Sequence, residues 1–267
     1  MLLKWVTKNK YKLMVFIIGL YLVTDIALHK GMARILLQNN FPERKIENNL
    51  PQNKNTLINT GKKWVKAVDT KELMDKLPAN INGFECDVYF DLEKNIFDVH
   101  HDIDNSIGLD LVTLLEAYRQ KKMQSGIWLD LKNLDDSNYK VAVDVLVGLR
   151  NEFGLKDKIL VESNRADLLT AFSDKDFYTS YYTPMFNPYQ MEDEEIKHWV
   201  DSLSLVIRHS NVSALSGYYF QYPFLHRYFP QYPVLTWAAN DRLSLTGWLF
   251  KRKIARSTEI FIVLYPW

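Results

Sequence analysis

From Lys62 onward, short runs rich in β-branched and aromatic residues alternate with stretches whose apolar positions recur every three or four residues. The strand-like runs fall at 64–68, 83–90, 95–100, 126–131, 158–161, 177–182, 212–219, 234–238 and 259–264. Helix-like stretches lie between them at 71–77, 109–122, 139–153, 165–172, 192–207, 222–229 and 243–251. The clearest helix is 109–122, where Leu111, Leu114, Leu115 and Tyr118 share one face, and Asp69 with Thr70 is suited to cap 71–77. Strands that alternate with helices predict a parallel sheet, because each crossover helix covers a face of that sheet. The number of alternations favours a closed (β/α)8 TIM barrel over an open doubly wound sheet, and no glycine-rich phosphate loop follows the first strand. No internal repeat is visible.

The pattern before Lys62 differs. Lys4, Lys8, Lys10 and Lys12 precede an apolar run over 13–23, and Asp25 follows it. Lysines on one flank predict an N-terminal membrane-anchor helix with its start on the cytoplasmic side and the remaining body extracytoplasmic. The run is short of the ~20 residues that span a bilayer comfortably, and only 26–28 extend it. No small-x-small cleavage site follows, which favours an uncleaved signal anchor over a removed leader. The expected organisation is a basic flank and anchor over 1–37, a linker rich in Asn, Lys and Pro over 38–61, and the barrel over 62–267.

Composition narrows the function. The 267 residues are 47% hydrophobic, and 33 basic against 32 acidic side chains leave a net charge of +1, which gives no nucleic-acid footprint. The single cysteine, Cys86, excludes an internal disulfide.

Candidate chemistry gathers in the stretch 83–102. Glu85 and Asp87, two apart on a strand, point to one face and repel each other; a bound cation or a shared proton relieves that, and a solvated strand face also accommodates the spacing. His100, His101 and Asp102 end the following strand, and regular alternation sends the two histidines opposite ways. Asp130 and Lys132 share a face at the end of 126–131, Glu162 ends 158–161, and Trp237 with Asn240 ends 234–238. In a parallel barrel these strand ends form the mouth where active sites are built. Three carboxylates converging with a lysine suit a hard cation, Mg²⁺ or Ca²⁺, able to polarise a phosphoryl oxygen. His198, His209 and His226 have no ligand spacing and read as structural or exposed, and the aromatic run 217–233 reads as packing over the barrel edge.

The order E-x-D-V (85–88), H-D (101–102), L-D-L-K (129–132) and T-W-x-x-N (236–240) resembles the glycerophosphodiester phosphodiesterase superfamily. Within it, L-D-L-K and W-V-K-A-V-D-T (64–70) resemble the sphingomyelinase D-like and menorin-like branch. The resemblance implies Glu85, Asp87 and Asp130 as ligands of Mg²⁺ or Ca²⁺ and His101 as one of two catalytic histidines. Lys132 would contact the substrate phosphate, with Trp237, Glu162 and Asn240 lining the pocket. In such families one histidine is base and the other acid, and a substrate hydroxyl attacks phosphorus to give a cyclic phosphate. The expected function is a membrane-anchored, metal-dependent phosphodiesterase acting on glycerophosphodiesters or phospholipid headgroups.

One departure stands out. Lys66 occupies the position of the first histidine, and Asp69 stands where asparagine is common. A lysine ordinarily holds its proton at neutral pH, so it can steady a phosphate but is a poor proton shuttle. A non-catalytic barrel binding phosphate, lipid or a protein partner is therefore an alternative. A glycosidase using Glu85 and Glu162 as its acid and base is a second one.

Overall fold

The computed structural model describes residues 9–28, 40–44, 46, 49–58, 61–238 and 244–267. Eight parallel strands form a closed ring. In chain order they are β1 (Lys63–Lys66), β2 (Gly83–Asp91), β4 (Gly126–Leu131), β5 (Ile159–Ser163), β6 (Tyr178–Tyr182), β7 (Ala214–Ser216), β8 (Val234–Trp237) and β9 (Ile260–Pro266). Each pairs with its neighbour in that order, and β1 closes the ring by pairing with both β2 and β9. The ninth strand, β3 (Ile96–Val99), is antiparallel to β2 and makes the hairpin arm. This is a TIM barrel, as the alternation predicts.

The strands are buried on both faces, as the near-continuous apolar runs require. Trp64, Trp128, Leu160, Tyr178, Ala214, Leu235, Ile262 and Leu264 fill the inside. The Trp64 indole lies so close to β2 and β4 that a Cβ on Gly83 or Gly126 would fall 2.2 Å from its ring. Glycine is required there by space.

Helices cover the connections: α2 (Lys71–Lys76), α3 (Leu111–Gln120), α4 (Tyr139–Glu152), α5 (Ala166–Ser173), α6 (Asp193–Arg208) and α7 (Tyr222–Tyr228). The Thr70 hydroxyl accepts from Leu73 N at 3.1 Å and caps α2, while Asp110 caps α3 through Val112 N at 3.0 Å. The α3 face of Leu111, Leu114, Leu115 and Tyr118 is buried. Strand β7 is shorter than the run 212–219 suggests, and the aromatic stretch after it packs inward, with Tyr222, Phe224, Leu225 and Tyr228 buried.

The described part of 40–58 has neither helix nor strand, yet it belongs to the barrel unit, residues 39–238 and 258–267. Pro42 O accepts from the Tyr228 hydroxyl at 2.6 Å, and Asn55 Nδ2 donates to Ser173 O and Phe177 O at 2.7 and 2.9 Å.

A second compact unit comprises 1–38 and 239–257. Its described elements are α1 (Lys10–Leu28) and α8 (Leu245–Arg256). The apolar run is helical, but the expected spanning anchor is not reproduced: among the described residues no helix is long and apolar enough to cross a membrane. Lys10 and Lys12 at one end and Asp25 near the other bound its apolar length. Asp25 is buried, and its Oδ2 accepts from Thr246 N at the start of α8, 2.9 Å away.

Candidate metal centre at the barrel mouth

Register builds the site. Asp87, Asp130, Glu162 and Ser180 are lateral partners across β2, β4, β5 and β6, so their side chains form one inward row. Glu85 lies on the same face two residues earlier in β2. Glu85, Asp87 and Asp130 each offer a carboxylate oxygen, and these atoms all lie within 4.8 Å of one another. Sequence spacing puts Glu85 beside Asp87; the pairing of β4 with β2 adds Asp130.

The row opens into a cavity of ≈ 170 Å³ lined by acids, lysines and rings. Lys66, His101, Lys132, Glu162 and Trp237 all face it, so the structure brings together every candidate named from the sequence except Asn240, which lies outside the described residues. Tyr182 and Tyr218, which the sequence reading passed over, complete an aromatic wall with Trp237; their rings lie 5.5 and 5.0 Å from it, edge to face. Tyr182 ends β6 as Trp237 ends β8, so strand-end position was the available signal. The Lys66 amine sits 5.7 Å from the Trp237 ring, within reach of a cation–π contact.

Glu85 is clamped by the exit of β1. Ala67 adopts a left-handed φ of 59°, and its N–H donates to Glu85 Oε2 at 2.6 Å, while Val68 N–H donates to Glu85 O at 2.8 Å. That backbone geometry costs an L-residue roughly 1 kcal/mol. It ends β1 at Lys66 instead of continuing to Val68 as the sequence pattern suggests. Asp69, the residue that stands where asparagine is common, accepts from Asp87 N at 2.8 Å.

The acids outnumber the cations. Burial, reinforced by Asp87, pushes the Glu85 carboxyl well above its usual range. Burial raises Asp130 too, with Lys132 opposing and Asp87 adding to the rise. Glu162 is 2% exposed, and burial followed by Asp130 holds its carboxyl well up. Burial and the Asp87 charge bring the Asp69 carboxyl to about 7. Lys132 Nζ bridges the acids, 2.6 Å from Asp87 Oδ1 and also bonded to Asp130 Oδ2. Burial works against its charge, but the two carboxylates together raise its proton affinity above that of a free lysine. Lys66 and Lys132 face four carboxyl groups in this cavity, Glu85, Asp87, Asp130 and Glu162. Asp87 Oδ2 is buried without a hydrogen-bond partner, and an all-oxygen donor set with an orphaned carboxylate oxygen fits Mg²⁺ or Ca²⁺.

The histidines diverge as alternation requires. His100 is buried, stacked on Tyr89 at 4.3 Å, with Nδ1 2.8 Å from Asp102 O and Nε2 3.5 Å from Asp98 Oδ2. His101 is exposed at the rim of the cavity, its Nδ1 2.8 Å from Asp102 Oδ1. That hydrogen bond holds the Asp102 carboxyl below its usual range. A carboxylate only accepts, so the proton of that hydrogen bond lies on Nδ1, which leaves Nε2 as the ring nitrogen not engaged by Asp102.

No protein-family model matches the chain, and no curated protein matches it. Solved structures do. A phosphodiesterase of Oleispira antarctica, solved in complex with the product sn-glycerol-3-phosphate, is similar with a TM-score of 0.53 and 13% identity, covering 77% of this chain and 92% of that one. A glycerophosphodiester phosphodiesterase of Parabacteroides distasonis has a TM-score of 0.52 and 14% identity over 77% of this chain and 94% of its own. A Silicibacter pomeroyi protein assigned as a glycerophosphoryl diester phosphodiesterase reaches 0.55 at 12% identity over 81% of this chain and 92% of that one. The chain shares the barrel fold of the glycerophosphodiester phosphodiesterases.

Proposed function

We propose that the chain is a divalent-metal-dependent phosphodiesterase acting on glycerophosphodiesters or phospholipid headgroups. The observation that carries the proposal is the cluster of Glu85, Asp87 and Asp130 at the barrel mouth, with Lys132 and Lys66 opening into the same cavity. The three carboxylates would hold Mg²⁺ or Ca²⁺, which would supply Lewis-acid polarisation of a phosphoryl oxygen. Lys132 and Lys66 would steady the phosphate charge. His101, oriented by Asp102, would take up or return a proton at Nε2. Trp237 and its two tyrosines, with Glu162 below, would hold the rest of the substrate. The Oleispira protein, of like fold, binds sn-glycerol-3-phosphate, which supports a phosphodiester substrate here. Glu85 shares its cluster with Asp130, an arrangement that favours a cation over the glycosidase pair.

The placement of the chain in the sphingomyelinase D-like or menorin-like branch rests on the motifs alone. So does Lys66 as the replacement for the first histidine. Membrane attachment with the barrel extracytoplasmic rests on the lysines before the apolar run; digestion of the barrel by protease added outside intact cells tests it.

The experiment is metal-dependent release of headgroup or alcohol from phosphodiesters by wild type, Glu85→Ala and Asp130→Ala. Activity that requires the cation and disappears in both variants supports the proposal; equal activity in all three removes it. Lys66 in the cavity favours one other reading, a barrel that binds phosphate without turnover. Inorganic phosphate binding by a wild type that hydrolyses nothing would select it.

A further inference from the structure

We infer that helices α1 and α8 together form a surface that lies in the headgroup layer of an anionic lipid bilayer. This goes beyond attachment through the N-terminal segment, because it assigns a membrane contact to a helix late in the chain and requires no spanning element.

Two helices of one compact unit carry the argument. On α1, Met14, Val15, Phe16, Ile17 and Ile18 are all exposed, which is more than one full helical turn, so that stretch is uncovered on every side. On α8, Leu245, Trp248 and Leu249 are exposed at 43, 53 and 39%. Their i, i+3, i+4 spacing puts them in one stripe. Arg252 and Arg256 continue the stripe one and two turns on, both exposed, and the Arg252 guanidinium lies 5.3 Å over the Trp248 ring. An apolar stripe with a tryptophan, passing into arginines, matches the headgroup–acyl boundary, where rings and alkyl stems are buried and charged tips stay wet.

Charge selects the lipid. Helix α8 holds Lys251, Arg252, Lys253 and Arg256 and no acid, and Lys10 and Lys12 begin α1. The whole chain has a net charge of only +1, so positive charge is concentrated here. A second copy of the same surface would bring like charges together, whereas anionic headgroups neutralise them. The one acid of α1, Asp25, would be expensive at an apolar boundary. It is instead buried, with Oδ2 accepting from Thr246 N at 2.9 Å, where the α8 helix dipole favours negative charge.

The test is flotation of the full chain with vesicles of phosphatidylcholine alone and of phosphatidylcholine with phosphatidylglycerol in equal parts. Wild type should float with both and more strongly with the anionic vesicles, an excess that added salt removes. The double variant Arg252→Glu, Arg256→Glu should lower partition onto anionic vesicles by about tenfold or more. Trp248→Ser should lower partition onto both. Circular dichroism melting of each variant checks that the fold is kept, and these side chains are exposed. Unchanged partition in both variants, wild-type indifference to anionic lipid, or a stable dimer by light scattering that vesicles do not dissociate would each overturn the inference. Flotation does not depend on hydrolysis, so Asp130→Ala should float as wild type whether or not the phosphodiesterase proposal holds.

Discussion

Lys132→Met isolates the electrostatics of the candidate metal centre. The ammonium is 2.6 Å from Asp87 Oδ1 and bonded to Asp130 Oδ2, with 27% of the lysine side chain exposed against 2% and 14% of the two acids. At that 2.6 Å separation and an effective dielectric of ~20, attraction to Asp87 alone is about 6 kcal/mol. Desolvation of the ammonium offsets several kcal/mol of this, and removing one partner of a buried pair typically costs ~3–5 kcal/mol. We therefore expect a loss of about 3 kcal/mol in metal-free protein, a fall in Tm of roughly 6–12 °C for a body of this size. Methionine keeps the volume and removes only the charge. Thermal unfolding by circular dichroism in EDTA measures the loss, and repeating it in excess Mg²⁺ or Ca²⁺ tests its cause. If the acids accept a divalent ion, the metal should restore most of the lost stability, because it replaces the missing positive charge. The loss should also shrink at low pH, because Glu85 and Asp130, held high by burial and by neighbouring carboxylates, become neutral there. An equal loss with and without metal would refute the reasoning, and so would no loss at all.

Other outcomes follow from the same geometry. Asp69, raised from 3.8 to about 7, binds its proton more tightly folded than unfolded; its contribution is complete below 3.8 and lost as the pH rises through about 7. Asp69→Asn keeps the oxygen that accepts from Asp87 N and should flatten urea midpoints across that range in EDTA, with higher stability than wild type at alkaline pH; an unaltered slope would remove Asp69 as the cause. Gly126→Ala forces a Cβ to within 2.2 Å of the Trp64 ring, and overpacking of this kind should lower stability by about 1–3 kcal/mol. A denaturation midpoint equal to wild type would contradict the packing of Trp64. Lys66→His introduces a group that exchanges protons near neutral pH and should raise kcat by about a hundredfold or more with little change in KM. No gain in turnover would mean that Lys66 is not what limits the chemistry.

Most of the architecture is local, and local patterns are written in the chain. The alternation of strand and helix, the buried face of Leu111, Leu114, Leu115 and Tyr118, and the opposite directions of His100 and His101 follow from periods of 3.6 and 2.0 residues. The pairing of Glu85 with Asp87 on one face is legible for the same reason. The closed ring was inferred from counting alternations, and the double pairing of β1 realises it.

What periodicity does not carry is distance between residues far apart in the chain. Asp130 joins Glu85 and Asp87 only because β4 pairs with β2 in a particular register. Lys132 meets both Asp87 and Asp130 only because that same register sets the two acids side by side. The strand-end position of Glu162 does not give its burial, which arises because the neighbouring strand carries the inward row across it. Asp69 has the character of a helix cap, and instead its carboxylate reaches from the loop after β1 to accept from Asp87 N on β2. Asp25 read as the residue that shortens an anchor, while the fold uses it at the start of α8. In each case an acid's neighbours, and with them its charge, were set by strand register and helix placement, which the order of residues specifies only through the folded chain.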